Sequence, residues 1–131
     1  AYEMTSTLVG SEMCIRDSDK AAHSSNLEEM MEELLDFDRT AGAVLDWASK
    51  HPGTLVVITA DHNTGAFALT GGSREKGEIT ARFGSGSHDG VAVPVYAFGA
   101  GSGDFTGIYE NTDIFNKIMN ALKKGADKPV R

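Results

Sequence analysis

The sequence has little cysteine, little basic charge and no long apolar run. Its one cysteine, Cys14, excludes an internal disulfide framework and any clustered-cysteine zinc site. Lys and Arg number 12 against 19 Asp and Glu, a net charge of −7, so the concentrated basic surface that binds nucleic-acid phosphates is missing. No apolar run reaches the ~18 residues that a membrane span needs. We therefore expect no nucleic-acid partner and no membrane span.

What the chain does have is the material for one ordinary globular domain. Its 131 residues are 40% hydrophobic, which is enough to bury a core. An acidic chain repels anionic phosphate esters unless bound cations reverse the local field. A chain of this charge that acts on phosphate would therefore need metal ions.

The clearest helix signal follows Ser25, which forms a capping-box pattern with Glu28. Apolar residues then recur at spacings of three and four on one face: Leu27, Met30, Met31, Leu34, Leu35, Ala41, Val44, Leu45 and Ala48. The pattern predicts a helix that ends near Lys50. The glutamates on its other face are interpreted as a solvated surface rather than as an acidic ligand patch.

The strand signals alternate with helical ones. The β-branched run at 54–60 predicts a parallel strand that is covered on both faces and central in its sheet. The run at 91–98 predicts an edge or bulged strand, since Pro94 cannot donate a ladder hydrogen bond. A short strand at 67–70 and a last helix at 112–124 complete the pattern. This alternation is typical of an α/β fold with a mostly parallel sheet.

The amino-terminal segment fits neither pattern. Residues 7–18 show no strand alternation and no helical stripe, and SEMCIRDS at 11–18 resembles a string that recurs at the ends of metagenome-derived translations. We interpret residues 1–18 as a poorly defined, artefactual segment. We expect 7–18 to be the least ordered part of the chain.

Asp61 and His62 directly follow the predicted buried strand. Ligands gather at the carboxyl ends of strands in open parallel sheets, and adjacent side chains that diverge in a strand can converge in the turn after it. A carboxylate and an imidazole placed there can meet one metal ion. The alternative is an aspartate that serves the turn beside a hydrogen-bonded histidine, and the pair alone does not exclude it.

Three further residues have the same chemistry. Asp19 and His23 are spaced by four, so one helical turn places them on one side. His88 lies in a glycine- and serine-rich loop at 84–90 that leads into the second strand. Taken singly, each is as well explained by a solvated aspartate or an exposed histidine, and His51 in its turn is interpreted as a surface residue.

Together, these two aspartates and three histidines form a mixed nitrogen and oxygen ligand set suited to zinc. One zinc ion rarely takes five protein ligands. The set therefore predicts two metal ions that share the cluster.

The order D-x-x-x-H, then D-H, then a later H resembles that of the alkaline phosphatase superfamily, which includes phosphonoacetate hydrolases, nucleotide pyrophosphatases and cofactor-independent phosphoglycerate mutases. The amino-acid sequence around the candidate ligands is similar to that of bacterial alkaline phosphatases. It comprises AAHSSNLEEMMEELLDFDRTAGAVLDWA, TLVVITADHNTGAFALTGG and GSHDGVAVPVYAFGAGS. These segments cover most of residues 19–122.

The resemblance implies a partial alkaline-phosphatase-like three-layer sandwich with a mostly parallel central sheet, of which residues 19–131 are the carboxyl-terminal metal-binding part. By motif, Asp19, His23 and His88 would be ligands of a first zinc, and Asp61 and His62 ligands of a second. The magnesium site is expected to be incomplete, because Cys14 stands where the family's E-G-S-x-I-D pattern has Glu. The family's serine nucleophile, phosphate-binding arginine and remaining aspartate ligand are expected outside this chain, so no catalytic residue is assigned here.

The resemblance further implies zinc-dependent hydrolysis of small-molecule phosphate monoesters through a phosphoserine in the complete protein, at a periplasmic or secreted location. It leaves a homodimer open. The chain alone is expected to be inactive. Two alternatives stay open, namely a non-catalytic zinc-binding or structural fragment and a phosphodiesterase or phosphonate hydrolase of the same superfamily.

Overall fold

The computed structural model describes residues 15–126. This part of the chain contains three helices, α1 (Ile15–His23), α2 (Leu27–Ser49) and α3 (Asp113–Ala126), with a short 3₁₀ turn at Ser102–Phe105. The six strands are β1 (Leu55–Ile58), β2 (Asn63–Thr64), β3 (Ala68–Ser73), β4 (Glu78–Arg82), β5 (His88–Asp89) and β6 (Tyr96–Gly99). No helix among these residues is long and apolar enough to cross a membrane.

Helix α1 begins inside the segment that the sequence left without structure. Residues 15–18 are helical, while 7–14 lie outside the described residues. The helix is held by two small side chains, Ala21 at 0% and Ala22 at 4% exposure. Burial of these two residues stabilises the helix, although residues 7–18 carry no apolar stripe.

The junction between α1 and α2 corrects the predicted cap. Ser25 has a φ of 55° and occupies the left-handed position that ends α1, where Ser25 N donates to Ala22 O and Asn26 N to Ala21 O. Asn26 is consequently the cap of α2, and its Oδ1 accepts from Glu29 N at 3.2 Å. The cap therefore lies one residue later than the sequence pattern predicted.

The chain divides into two compact units. One contains residues 42–59 and 95–126 of the described chain, and the other contains 15–41 and 60–94. In the first unit, β1 pairs antiparallel with β6, with Leu55 opposite Gly99 and Ile58 opposite Tyr96. Gly99 has a φ of +91°, and a Cβ there would lie 2.2 Å from Thr54 O, so this pairing requires glycine.

The predicted parallel sheet is absent from the described strands, whose three two-stranded sheets are all antiparallel. An unbroken apolar run indicates a strand with both faces buried, but it does not indicate whether the partner strand is parallel or antiparallel. The expected edge strand at 91–98 is shorter than predicted, since β6 begins after Pro94, and the strand expected at 67–70 is part of β3.

The first unit is built around Phe105, which is 5% exposed, and Ala48, which is 4% exposed. The 3₁₀ turn is tied to α3 through Asp104, whose carboxylate accepts from Lys124 Nζ at 2.6 Å. Lys117 Nζ donates to Asp104 O at 2.6 Å and lies 4.0 Å from the centre of the Tyr109 ring. Charge and ring contacts thus fix the last helix to the turn.

In the second unit, the hairpin β3–β4 carries a register shift between Leu69 and Gly71. The much shorter ladder β2–β5 pairs Asn63 with Asp89 and Thr64 with His88. The stripe predicted to be buried on α2 is only partly covered, because Leu34, Leu35 and Val44 are 43–52% exposed.

We predict that Asp104→Asn lowers the melting temperature at pH 7 by a few degrees and that the difference shrinks below about pH 4. The hydrogen bond from Lys124, followed by its charge, holds the pKa of Asp104 below its usual range. A depressed folded-state pKa stabilises the fold above the unfolded pKa, and that contribution disappears as the pH falls through the folded pKa. Thermal melts of both proteins from pH 7 to pH 3 measure this, with Asp46→Asn on exposed α2 as control. An Asp104→Asn deficit that is constant across this range would contradict it.

Candidate metal centre

All five residues singled out in the sequence lie in the second unit. Asp19 and His23 stand one turn apart on α1, Asp61 and His62 lie in the turn that enters β2, and His88 begins β5. Three separate segments of the chain therefore supply one cluster.

Three of these side chains form a compact triad. Asp19 Oδ2 lies 3.5 Å from His23 Nε2, and Asp19 Oδ1 lies 3.6 Å from His88 Nε2. The two Nε2 atoms are 3.1 Å apart. One donor atom from each residue falls within 4.8 Å of the others, an arrangement that could hold a metal ion.

His23 is held in one tautomer by the backbone. Its Nδ1 lies 2.6 Å from Gly86 O, and since a carbonyl only accepts, Nδ1 carries the proton. In the neutral ring, Nε2 then presents its lone pair to Asp19 and His88. Metal-binding histidines usually have this arrangement, with the remote nitrogen donating to a carbonyl or carboxylate.

Asp61 and His62 form the second part of the cluster. Asp61 Oδ1 accepts from His62 N at 3.1 Å, and Asp61 Oδ2 lies 3.3 Å from His62 Nε2. The His62 ring stacks on His88 with 3.6 Å between centroids and 24° between planes. This stack joins the Asp61–His62 pair to the triad.

Thr64, which the sequence analysis did not single out, contacts both the triad and the Asp61–His62 pair. Its Oγ1 donates to Asp19 Oδ1 at 2.7 Å and lies 3.2 Å from His62 Nδ1. A hydroxyl has one proton, so Thr64 gives it to Asp19 and accepts the Nδ1 proton of His62. The Nε2 lone pair of His62 is thereby directed to the side of Asp61. A threonine two residues after a candidate ligand was the available signal.

Asp89 was also missed, although it directly follows His88. Its carboxylate accepts from the backbone amides of Val91 and Ala66 at 3.0 Å each and from Asn63 Nδ2 at 2.9 and 3.1 Å. The amide of Val91, followed by the Asn63 and Ala66 donors, holds the pKa of Asp89 below its usual range. Asp89 is therefore a carboxylate that organises the loop around the cluster.

A model of the family described as alkaline phosphatase matches residues 16–84, more than half of the chain. The chain belongs to the alkaline phosphatase family. The match contains Asp19, His23, Asp61 and His62.

Known alkaline phosphatases and a related phosphatase align over most of the chain. The streptomycin-6-phosphate phosphatase of Streptomyces griseus is 33% identical over 121 residues, covering 79% of this chain and 27% of the relative. Alkaline phosphatase 4 of Bacillus subtilis (strain 168) is 26% identical over 175 residues, covering 82% of this chain and 38% of the relative. The chain thus spans between about a quarter and two fifths of these proteins.

Solved structures give the same family. The alkaline phosphatase of the Antarctic bacterium TAB5 superposes with a TM-score of 0.74 at 39% identity, over 81% of this chain and 32% of that one. A substituted form of the TAB5 enzyme, solved with magnesium bound, gives 0.74 at 40% identity, over 81% of this chain and 33% of that chain. This likeness to alkaline phosphatases confirms the α/β class expected from the sequence.

We predict that Thr64→Val weakens zinc binding by about 10–100-fold, the usual cost of losing a group that orients metal ligands. Valine keeps the branched shape but cannot hydrogen-bond Asp19 or His62. Zinc competition with a chromophoric chelator measures the change.

Thr64→Ser is the matched control, because it keeps the hydroxyl and should bind zinc within a few-fold of the parent chain. Equal affinities of Thr64→Val and the parent chain would show that the hydroxyl does not orient the cluster.

Proposed function

We propose that Asp19, His23 and His88 hold one zinc ion and that Asp61 and His62 hold part of a second. In the complete protein, this centre would hydrolyse small-molecule phosphate monoesters. The observation that carries the proposal is the convergence of the three histidine rings, with His88 Nε2 3.1 Å from His23 and its ring stacked on His62. The family membership supplies the reaction class.

The chemistry of the donor set supports zinc. Two imidazole nitrogens and a carboxylate leave a fourth coordination position open, which is the pattern of catalytic zinc sites. When bound, zinc ions would act as Lewis acids, neutralise developing negative charge and lower the pKa of a hydroxyl bound to them. Magnesium, which is bound in two of the similar TAB5 structures, is proposed as a further metal of the complete protein.

The residues of this chain have a holding and orienting role. Gly86 O and Thr64 Oγ1 accept the Nδ1 protons of His23 and His62, so either ring in its neutral form has its lone pair on Nε2. The hydrogen bond from Thr64 to Asp19 fixes one carboxylate oxygen at 2.7 Å. These contacts would keep the donor atoms in place before a cation arrives, which reduces the cost of ordering them.

The proposed reaction has two displacements. A serine oxygen attacks phosphorus, the ester oxygen leaves with its electron pair, and a phosphoserine forms. Water then attacks the same phosphorus and releases serine and inorganic phosphate. We assign the serine, the phosphate-binding arginine and the third ligand of the Asp61–His62 metal to parts of the protein other than the residues described here.

The finer features of the complete protein are proposals on the same basis. They comprise a mostly parallel central sheet to which β1 would belong, a metal-binding part at residues 19–131 after an artefactual segment at 1–18, and a periplasmic or secreted location. The name of the Streptomyces relative is that of a phosphatase for a phosphorylated small molecule, which supports the proposed substrate class.

We predict that the purified chain binds zinc and that His23→Ala reduces the affinity at least 10-fold. The variant removes a nitrogen ligand and its tautomer-fixing contact with Gly86. His51→Ala is the matched control, since His51 lies in the other unit, where its ring stacks on Trp47 at 3.9 Å. Isothermal titration with zinc measures both, and identical isotherms for the two variants would argue against the triad.

We predict negligible phosphatase activity for the chain alone, even with zinc and magnesium. The transition state needs a nucleophile held in line with the leaving oxygen, and no such serine is assigned to these residues. Hydrolysis of a chromogenic phosphate monoester measures this, with His62→Ala in parallel. Turnover of ~1 s⁻¹ or more that His62→Ala abolishes would show that the chain contains its own nucleophile.

A further inference from the structure

Asp89 holds together the two loops that carry the candidate ligands. Its carboxylate accepts four hydrogen bonds within 3.1 Å. Asn63 directly follows His62 and Ala66 comes three residues after Asn63, whereas Val91 lies beyond His88 on the other loop. One side chain thus fastens the His62 segment to the His88 segment.

The backbone ladder between these loops is too short to do this alone. β2 and β5 share only two residue pairs, Asn63 with Asp89 and Thr64 with His88. Ala66 also has a φ of 43°, a left-handed conformation that a residue other than glycine rarely adopts. Its amide donates to Asp89 Oδ2 at 3.0 Å, so the carboxylate stabilises the strained turn as well as the ladder.

The hydrogen bonds also separate Asp89 from the candidate ligands. A carboxylate has about four lone-pair positions. Oδ1 accepts from Asn63 and Val91, and Oδ2 accepts from Asn63 and Ala66, so both oxygens are hydrogen-bonded within the loops. Asp89 is accordingly engaged with the loops rather than with the candidate ligands.

We propose that Asp89 is a positioning residue that keeps the His88 ring against His62 and within reach of His23. The consequence for metal binding rests on the proposed zinc site, but the effect on ring positions does not. Loss of the carboxylate would release β5 from β2, and with it the 3.6 Å stack of the two rings.

The test compares Asp89→Asn, Asn63→Ala and the control Asp38→Asn, an exposed aspartate on α2 in the same unit. An amide replaces one acceptor oxygen of Asp89 with a donor that faces other donors. Asn63→Ala removes two of the four hydrogen bonds and leaves both backbone donors in place. The readouts are the nuclear Overhauser contact between the His62 and His88 rings without metal, zinc affinity by competition, and the far-ultraviolet circular dichroism spectrum.

We expect Asp89→Asn to lose the ring contact and to bind zinc about 10–100-fold more weakly. Asn63→Ala should show a smaller loss of both, and Asp38→Asn should match the parent chain, with all spectra unchanged. An Asp89→Asn variant that keeps both the ring contact and the affinity overturns the proposal.

Two other outcomes also decide it. If the parent chain binds no zinc, the proposed function fails, and the ring contact alone tests Asp89, because its loss supports the positioning role and its retention overturns it. If Asp89→Asn loses the circular dichroism of the fold, Asn63→Ala becomes the deciding variant. A folded Asn63→Ala with an intact ring contact and unchanged zinc affinity then overturns the proposal.

Discussion

The two-pair ladder between β2 and β5 is the contact on which the candidate metal centre depends. It places Thr64 opposite His88, so the residue that orients Asp19 and His62 lies beside the third histidine. The segments around β2 and β5 contain little regular secondary structure. A ladder of two residue pairs is weak without side-chain support. The carboxylate of Asp89 provides that support, and its adjacency to His88 makes the support local to a candidate ligand.

Close approach of α1 to the same turn is the second constraint. Gly65 is buried with a φ of +79°, and a Cβ there would lie 3.0 Å from Phe83 Cδ1 and 3.1 Å from Ala22 O. Ala21 and Ala22 bury the corresponding face of the helix with the smallest side chains that favour helix. Small residues on both sides let Thr64 reach Asp19 at 2.7 Å, which a larger residue at Gly65 would prevent.

A feature could be predicted from the sequence when the residues that form it lie close together along the chain. The helices α2 and α3 and the candidate ligands follow from local spacing, because helix caps, apolar stripes and ligand motifs are formed by residues a few positions apart. The roles of Thr64 and Asp89 were not predicted, since they depend on Asp19 and Asn63, which lie 45 and 26 positions away in the chain. The direction of the strand that pairs with β1 could not be predicted for the same reason. The cap of α2 is Asn26 rather than Ser25 because the Ser25 amide is hydrogen-bonded to Ala22 O at the end of α1.

Charge connects this local geometry to the composition of the whole chain. The cluster gathers the carboxylates of Asp19 and Asp61 around histidine rings, in a chain with a net charge of −7, and a phosphate ester would be repelled from such a surface. Two of the rings donate their Nδ1 protons to Gly86 and Thr64, so in the neutral form these rings present Nε2 lone pairs to the centre. Lone pairs and carboxylates facing one another at 3–4 Å favour a cation between them. At the proposed metal centre, the hydrogen bonds that orient these rings would thus favour the metal ions that reverse the charge of the cluster.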